Sequence, residues 1–247
     1  MNPTSQYEFT IVVPVYNEED NVERLEKELS AFLPTSLKKA CVLFVNDGSR
    51  DRSLDLLREV CKRHSDFFYV SLAQNSGLSA AMKAGIDTAQ SPLVGYIDAD
   101  LQTSPEDFNL LLPYAADYEL VMGIRANRKD SFFKNLQSKI ANGFRRSMTG
   151  DTAKDTGCPL KVMHTDVVRR LPFFTGMHRF LPALMLLEKG RMMQIPVRHF
   201  PRMAGVSKYH LWNRLVSPFM DCFAYRWMKK RYIRYQVGEH NFAETEV

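Results

Sequence analysis

Residues Asp98-Ala99-Asp100-Leu101-Gln102 set two carboxylates and an amide directly after the apolar run Leu93-Val94-Gly95-Tyr96-Ile97. A short apolar run of this kind reads as a buried strand. Side chains alternate along the extended chain that leaves it, so Asp98, Asp100 and Gln102 share one side. Oxygen donors of this type suit a hard cation such as Mg²⁺ or Mn²⁺, which takes one or two carboxylates and completes its shell with water and substrate phosphates. The competing reading is a loop whose acids cap the next helix. Ser104-Pro105-Glu106-Asp107 already supplies a capping residue and a proline at the first helical position, which leaves Asp98 and Asp100 for other work.

Three other apolar runs end in polar groups. Val12-Val13-Pro14-Val15 leads into Tyr16-Asn17-Glu18, where a planar base could stack and exchange hydrogen bonds, or where an ordinary turn begins a helix. Val45-Asn46-Asp47-Gly48-Ser49 puts a carboxylate on a glycine turn, suited to a ribose hydroxyl or a base edge, with a helix cap as the alternative. Asn75-Ser76-Gly77-Leu78-Ser79 opens a segment rich in small residues, Ala80, Ala81, Ala84 and Gly85, whose role is close packing of helix on sheet. Neither Gly-x-Gly-x-x-Gly nor the phosphate-loop pattern is present, which weighs against dehydrogenases and ATPases.

The elements that must position these groups alternate. Strand candidates at Phe9 to Val15, Val42 to Val45, Phe68 to Leu72, Leu93 to Ile97 and Leu120 to Gly123 are separated by helix candidates at Val22 to Phe32, Ser53 to Arg63, Ser79 to Thr88 and Pro105 to Tyr114. This pattern predicts an α/β fold, a Rossmann-like, mainly parallel sheet with helices on both faces and ligands at its carboxyl edge. Beyond it come a basic helical segment over Phe132 to Thr149, a strand at Met193 to Val197 and a basic, aromatic helix from Leu211 to about Tyr235; Met1 to Glu8 and Gly238 to Val247 read as frayed ends. The expected division is residues 1–210 as one domain and 211–247 as an amphipathic helical segment with a tail.

The chain has 247 residues, 45% of them apolar, enough for one sizeable core. No window approaches the roughly 18 to 20 apolar residues of a membrane span, and Met1-Asn2-Pro3-Thr4 lacks the features of a signal peptide. A cytoplasmic protein is expected. Cys41, Cys61, Cys158 and Cys222 are scattered without paired spacing and read as reduced, mostly buried thiols. A net charge of +5 favours polyanionic partners without choosing among them.

The set Val13-Pro14-Val15-Tyr16-Asn17-Glu18, Asn46-Asp47-Gly48-Ser49, Asn75-Ser76-Gly77 and Asp98-Ala99-Asp100-Leu101-Gln102 resembles the family 2 inverting glycosyltransferases of GT-A fold. More narrowly, Val121-Met122-Gly123-Ile124-Arg125, Ser138-Lys139-Ile140-Ala141-Asn142, Asp155-Thr156-Gly157 and the run Val197 to Lys208 resemble the dolichyl- and undecaprenyl-phosphate sugar synthases. The likeness extends from about Phe9 to Tyr209. It implies a nucleotide-sugar donor, with a UDP or GDP carrier, a polyprenyl phosphate acceptor, and Mg²⁺ or Mn²⁺. Carried over, Pro14, Tyr16, Glu18, Asp47, Asn75 and Gly77 would hold the nucleoside side of the donor, Asp98 its ribose or sugar, and Asp100 and Gln102 the metal on its diphosphate. Arg125, Ser138, Lys139, Arg202, Ser207 and Lys208 would clamp the acceptor phosphate. Asn46 and Lys139 depart from the acid and the arginine usual at those places, and Pro159 stands where a smaller residue is expected.

A lipid phosphate is already anionic and needs no general base. A rival enzyme adding sugar to a glycan hydroxyl would need one, and Asp155 is the best placed by sequence. A catalytically silent nucleotide- or glycan-binding subunit is the non-enzyme reading, and nucleic acid has only the net charge in its favour. The aromatic, basic helix after Leu211 suits peripheral contact with an anionic membrane surface, or packing on its own domain.

Overall fold

The computed structural model describes residues 2–125, 142–201, 211–233 and 239, with the backbone alone over 211–218. Its strands are β1 (Phe9–Val15), β2 (Ala40–Asn46), β3 (Phe67–Ser71), β4 (Leu93–Tyr96), β5 (Leu120–Arg125), β6 (Lys161–His164) and β7 (Met192–Val197). They form one sheet in the order β3-β2-β1-β4-β6-β5-β7. Strand β6 runs antiparallel to β4 and β5, and every other pairing is parallel. All strands except β6 therefore release their carboxyl ends at one edge.

Helices cover both faces, so β1 and β2 are buried along their whole length and read as continuous apolar runs. On one face α1 (Val22–Phe32) presents Val22, Leu25, Leu29 and Phe32, spaced at helical period, and packs with α2 (Ser53–Arg63) and α4 (Phe108–Leu111) over Ile11, Val13 and Phe44. On the other, α3 (Leu78–Thr88), α6 (Thr165–Arg170) and α7 (Leu181–Leu187) enclose Val12, Leu43 and Val94. A further helix, α5, covers described residues 142–149. The small residues of α3 act as the sequence reading expects: a Cβ on Gly85 would stand 2.4 Å from Val12 Cγ1, so only glycine lets the helix approach that closely.

The last helix, α8 (Leu211–Arg231), buries Cys222 and Tyr225 in the second core, where the Tyr225 hydroxyl donates to the Ala183 carbonyl at 2.8 Å. Its other side exposes Phe219, Met220, Phe223 and Trp227. No helix among the described residues is long and apolar enough to cross a membrane. The four cysteines are free thiols, three of them buried.

The structure differs from the sequence reading in several places. The start of the chain is tied down, because Asn2 caps a turn over Pro3–Gln6 and donates from Nδ2 to the Thr88 carbonyl at 2.7 Å. The single helix expected over Pro105 to Tyr114 is broken into a 3-10 turn, α4 and a second 3-10 turn at Leu112–Ala116, where Pro113 cannot donate to continue an α-helix. Ser104 takes the N-cap position with extended backbone, yet its hydroxyl makes no capping bond. Of the basic segment 132–149, residues 132–141 lie outside the described residues.

Candidate active site

The carboxyl edge gathers the polar strand ends. Pro14 is buried within β1, next to its exit. Strand β4 pairs with β1 only as far as Tyr96 opposite Val12, so the N–H that Pro14 lacks falls beyond that ladder and costs no bond. Asn17, with φ 50, turns the chain: its N–H donates to Ser49 Oγ at 3.0 Å and its Oδ1 accepts from Arg50 N at 2.8 Å. Glu18 N–H donates to Ser53 Oγ at 2.8 Å, and Asn21 Nδ2 donates to Glu18 Oε2 at 2.6 Å. Tyr16 and Glu18 stand half-buried on this laced turn.

At the end of β2, Asn46 donates from Nδ2 to Ser71 Oγ at 2.8 Å and accepts from Ser49 N at 3.2 Å. Asp47, 3% exposed, is occupied by its neighbours: Ser76 N donates to Oδ1 at 2.7 Å, while Gly77 N and Asn75 Nδ2 each donate to Oδ2 at 2.9 Å. Its carboxylate thus holds the loop that opens α3, so Asp47, Asn75 and Gly77 form one unit. Gly48 makes this possible, since a Cβ there would lie 2.4 Å from the Gln74 carbonyl carbon.

Beyond β4 the Tyr96 hydroxyl donates to Asp98 Oδ1 at 2.5 Å. Burial foremost pushes the Asp98 carboxyl above its ordinary range and the charge of Asp100 adds to this, while Tyr96, Lys161 and Arg125 pull the other way. Asp100 is 8% exposed and accepts from Gln102 N at 3.2 Å across Leu101, which holds a left-handed φ of 47. The Gln102 carbonyl accepts from Phe200 N at 2.8 Å and lies 3.1 Å from His199 Nδ1, so the exit of β7 is tied to the same loop. Asp98 and Asp100 are hard oxygen donors whose charges repel each other. Among the described residues no three of His, Cys, Asp and Glu gather into a closed cage. Carboxylate oxygens are the donor type that suits Mg²⁺ or Mn²⁺, which draws the rest of its shell from phosphate and water.

At the end of β5, Arg125 and Asp155 form a bidentate pair, Nε to Oδ2 and Nη2 to Oδ1 at 2.8 Å each, with Arg125 N donating to Oδ2 at 3.2 Å. Burial would raise the Asp155 carboxyl, but the Arg125 hydrogen bonds and charge outweigh it and hold the group below the usual carboxylate range. Asp98, Asp100, Arg125 and Asp155 share one electrostatic cluster. Ser138, Lys139, Arg202, Ser207 and Lys208 lie outside the described residues.

Sequence reasoning missed Lys161, a buried cation in this cluster whose only signal was a lysine inside the apolar run Cys158 to Met163. It also missed His178, whose Nδ1 lies 3.1 Å from Ser79 Oγ while Gly176 N donates to that hydroxyl at 3.1 Å; no spacing announces that contact.

Residues 10–173 match the family model described as glycosyl transferase family 2. The chain is 37% identical over 215 residues to the undecaprenyl-phosphate 4-deoxy-4-formamido-L-arabinose transferase of Edwardsiella ictaluri, covering 86% of this chain and 66% of that one. It is 34% identical over 247 residues to the dodecaprenyl-phosphate galacturonate synthase of Rhizobium johnstonii, covering 98% of this chain and 72% of that one. It thus spans about two thirds of the length of these curated relatives. Among solved structures, mannosyl-3-phosphoglycerate synthase from Rubrobacter xylanophilus superposes with a TM-score of 0.68 at 18% identity, over 97% of this chain and 80% of that one. Glucosyl-3-phosphoglycerate synthase from Mycobacterium tuberculosis, in complex with Mn²⁺ and UDP-glucose, gives 0.65 at 14% identity, over 98% and 86%. At such identities the likeness is one of fold.

Proposed function

The chain belongs to glycosyl transferase family 2 and adopts the GT-A fold, and from that premise we propose that it moves a sugar, with inversion, from a nucleoside-diphosphate sugar to a polyprenyl phosphate. The observation that carries the reading is the Asp98–Asp100 pair, set at the mouth of the sheet beside the Arg125–Asp155 ion pair. Asp100 and Gln102 are the residues to hold Mg²⁺ or Mn²⁺, which, when bound, offsets the charge that develops on the leaving diphosphate. Asp98, held by Tyr96, faces the donor's ribose or sugar. Tyr16 and Glu18 on the turn after β1 take the base, and the unit built by Asp47, Asn75 and Gly77 shapes the floor of the nucleoside site; UDP and GDP both remain within this chemistry.

The acceptor follows from Asp155. A general base must be free to take a proton near the operating pH, whereas Asp155 is engaged by Arg125 and held below the usual carboxylate range. That favours an acceptor already anionic over a glycan hydroxyl. Arg125, with Arg202, Lys208, Ser207, Ser138 and Lys139, provides the cationic and hydroxyl clamp for such a phosphate. The two curated relatives carry polyprenyl-phosphate names, in keeping with this reading. Peripheral contact with the cytoplasmic membrane face, where such an acceptor resides, would run through the exposed aromatic side of α8 and its basic end, Lys229, Lys230 and Arg231.

The test is product analysis with UDP- and GDP-sugars, Mn²⁺ and a short-chain polyprenyl phosphate. A glycolipid phosphate product in which the anomeric configuration of the donor is inverted is expected. Transfer only to glycan hydroxyls would refute the acceptor assignment. Asp100→Ala should abolish the Mn²⁺-dependent rise in melting temperature that the nucleotide gives by mass action, and an unchanged rise would refute the metal assignment.

A further inference from the structure

Lys161 lies in the middle of the sheet, on β6 between Tyr96 of β4 and Met122 of β5, and is 2% exposed. Its ammonium donates to the Cys158 carbonyl, and Nζ lies 5.6 Å from the centre of the Tyr96 ring. The same tyrosine carries the hydroxyl that holds Asp98. Capping one carbonyl does not require a charge, and a buried ammonium is costly unless anions compensate it. Burial foremost pushes the Lys161 ammonium below its ordinary range; Cys158, Asp98 and Asp155 act in its favour and Arg125 against it, so two of the three supporting groups belong to the site.

We propose that Lys161 is a positioning residue that serves as the fixed internal counter-cation of the active site, holding the Tyr96–Asp98 unit and setting how strongly the edge attracts cation and diphosphate. This rests on the functional reading above. The formal charges of the cluster are three carboxylates, Asp98, Asp100 and Asp155, against Arg125 and Lys161, which leaves one negative charge. Without Lys161 that excess doubles. A divalent cation is then bound more tightly, while the cation-loaded site attracts a diphosphate less. The two effects have opposite signs. A lysine that merely filled space or capped Cys158 would, when lost, loosen both or neither.

The experiment uses the full chain and its direct binding, apart from turnover. Lys161→Gln retains a donor for the Cys158 carbonyl and removes the charge; Lys161→Met removes both. Mn²⁺ alone is titrated by electron paramagnetic resonance, and UDP and GDP are titrated by calorimetry in saturating Mn²⁺. For Lys161→Gln, Mn²⁺ should bind at least about tenfold tighter and the nucleoside diphosphate at least about tenfold more weakly, since one unit charge acting on a divalent ion at an effective dielectric near 20 still supplies a factor of ten at roughly 20 Å. Unchanged affinities, or losses in both, would overturn the proposal. Wild-type protein that binds no Mn²⁺ would instead overturn the metal assignment beneath it, and this proposal with it. Should neither variant fold, ¹⁵N-lysine spectra of the wild type decide: the Lys161 resonance should move when Mg²⁺ is added, and a resonance indifferent to Mg²⁺ would overturn the proposal.

Discussion

Replacing Asp47 with alanine separates a residue that holds its own fold from one that merely waits for a ligand. The carboxylate, 3% exposed, accepts bonds of 2.7, 2.9 and 2.9 Å from Ser76 N, Gly77 N and Asn75 Nδ2. Hydrogen bonds to a charged group contribute about 1.5–3 kcal/mol each. Ser76 and Asn75 are exposed, so water reaches their donors once the carboxylate is gone and part of the loss is recovered. A net cost of about 3–4 kcal/mol is the reasoned figure, which for a chain of this length lowers the melting temperature by about 6–16 °C. Asp47→Asn keeps one accepting oxygen and should fall between. The assay is thermal unfolding without nucleotide, followed by UDP and GDP titration at a temperature where each variant is folded. A ligand-only role predicts a melting temperature within about 2 °C of wild type, since most surface substitutions change stability little. That outcome would refute the placement of Asp47 as the tie between β2 and α3.

Other perturbations test the same physics elsewhere. Burial foremost, with Arg179 and Lys161, pushes the His178 imidazole down to about 3. The unfolded chain takes that proton below about 6.5 while the folded one resists, so this stability is full above that pH and is lost as the pH falls toward 3. His178→Asn should remove on the order of 2–4 kcal/mol of acid destabilisation across that window, read as a flatter urea midpoint against pH; an identical slope would remove His178 from the account. The Arg145–Asp151 pair is buried, with side chains 8% and 0% exposed, and Asp151 also accepts from Thr149 and Ala153. Asp151→Asn leaves a buried guanidinium uncompensated and should cost about 3–5 kcal/mol in denaturant unfolding; a cost below 1 kcal/mol would be inconsistent with that. Trp227, 62% exposed on α8, should add to vesicle binding. Trp227→Ala is expected to weaken sedimentation with anionic liposomes about tenfold, high salt to weaken it further, and binding indifferent to both would exclude α8 as the contact.

Much of this architecture was legible. Strands β1, β2, β4 and β5 announce themselves as apolar runs because helices bury both faces of the sheet there, β7 does so although it is a half-exposed edge strand, and α1 and α2 follow their apolar period. The polar strand ends stood out by position, since a parallel sheet sends every such end to one edge. Strand β6 did not stand out. It is four residues long, begins with a lysine and ends with a histidine, and a charged residue in so short a run reads as a loop. Helices α6 and α7 are too short for periodicity to identify.

What the sequence determined by itself is chemical type and order: carboxylates and amides at the ends of apolar runs, basic groups later in the chain, and motifs that place it among the family 2 glycosyltransferases. What only tertiary structure decided is which of these groups are spent on one another. Asp47 is taken up by Asn75, Ser76 and Gly77, Asp155 by Arg125, and Lys161 comes to lie beneath Tyr96, though these partners are 28 to 65 positions apart in the chain. Spacing along a chain encodes local conformation, whereas the strength of a charge depends on burial and on partners brought in from distant segments, and those exist only once the sheet has formed.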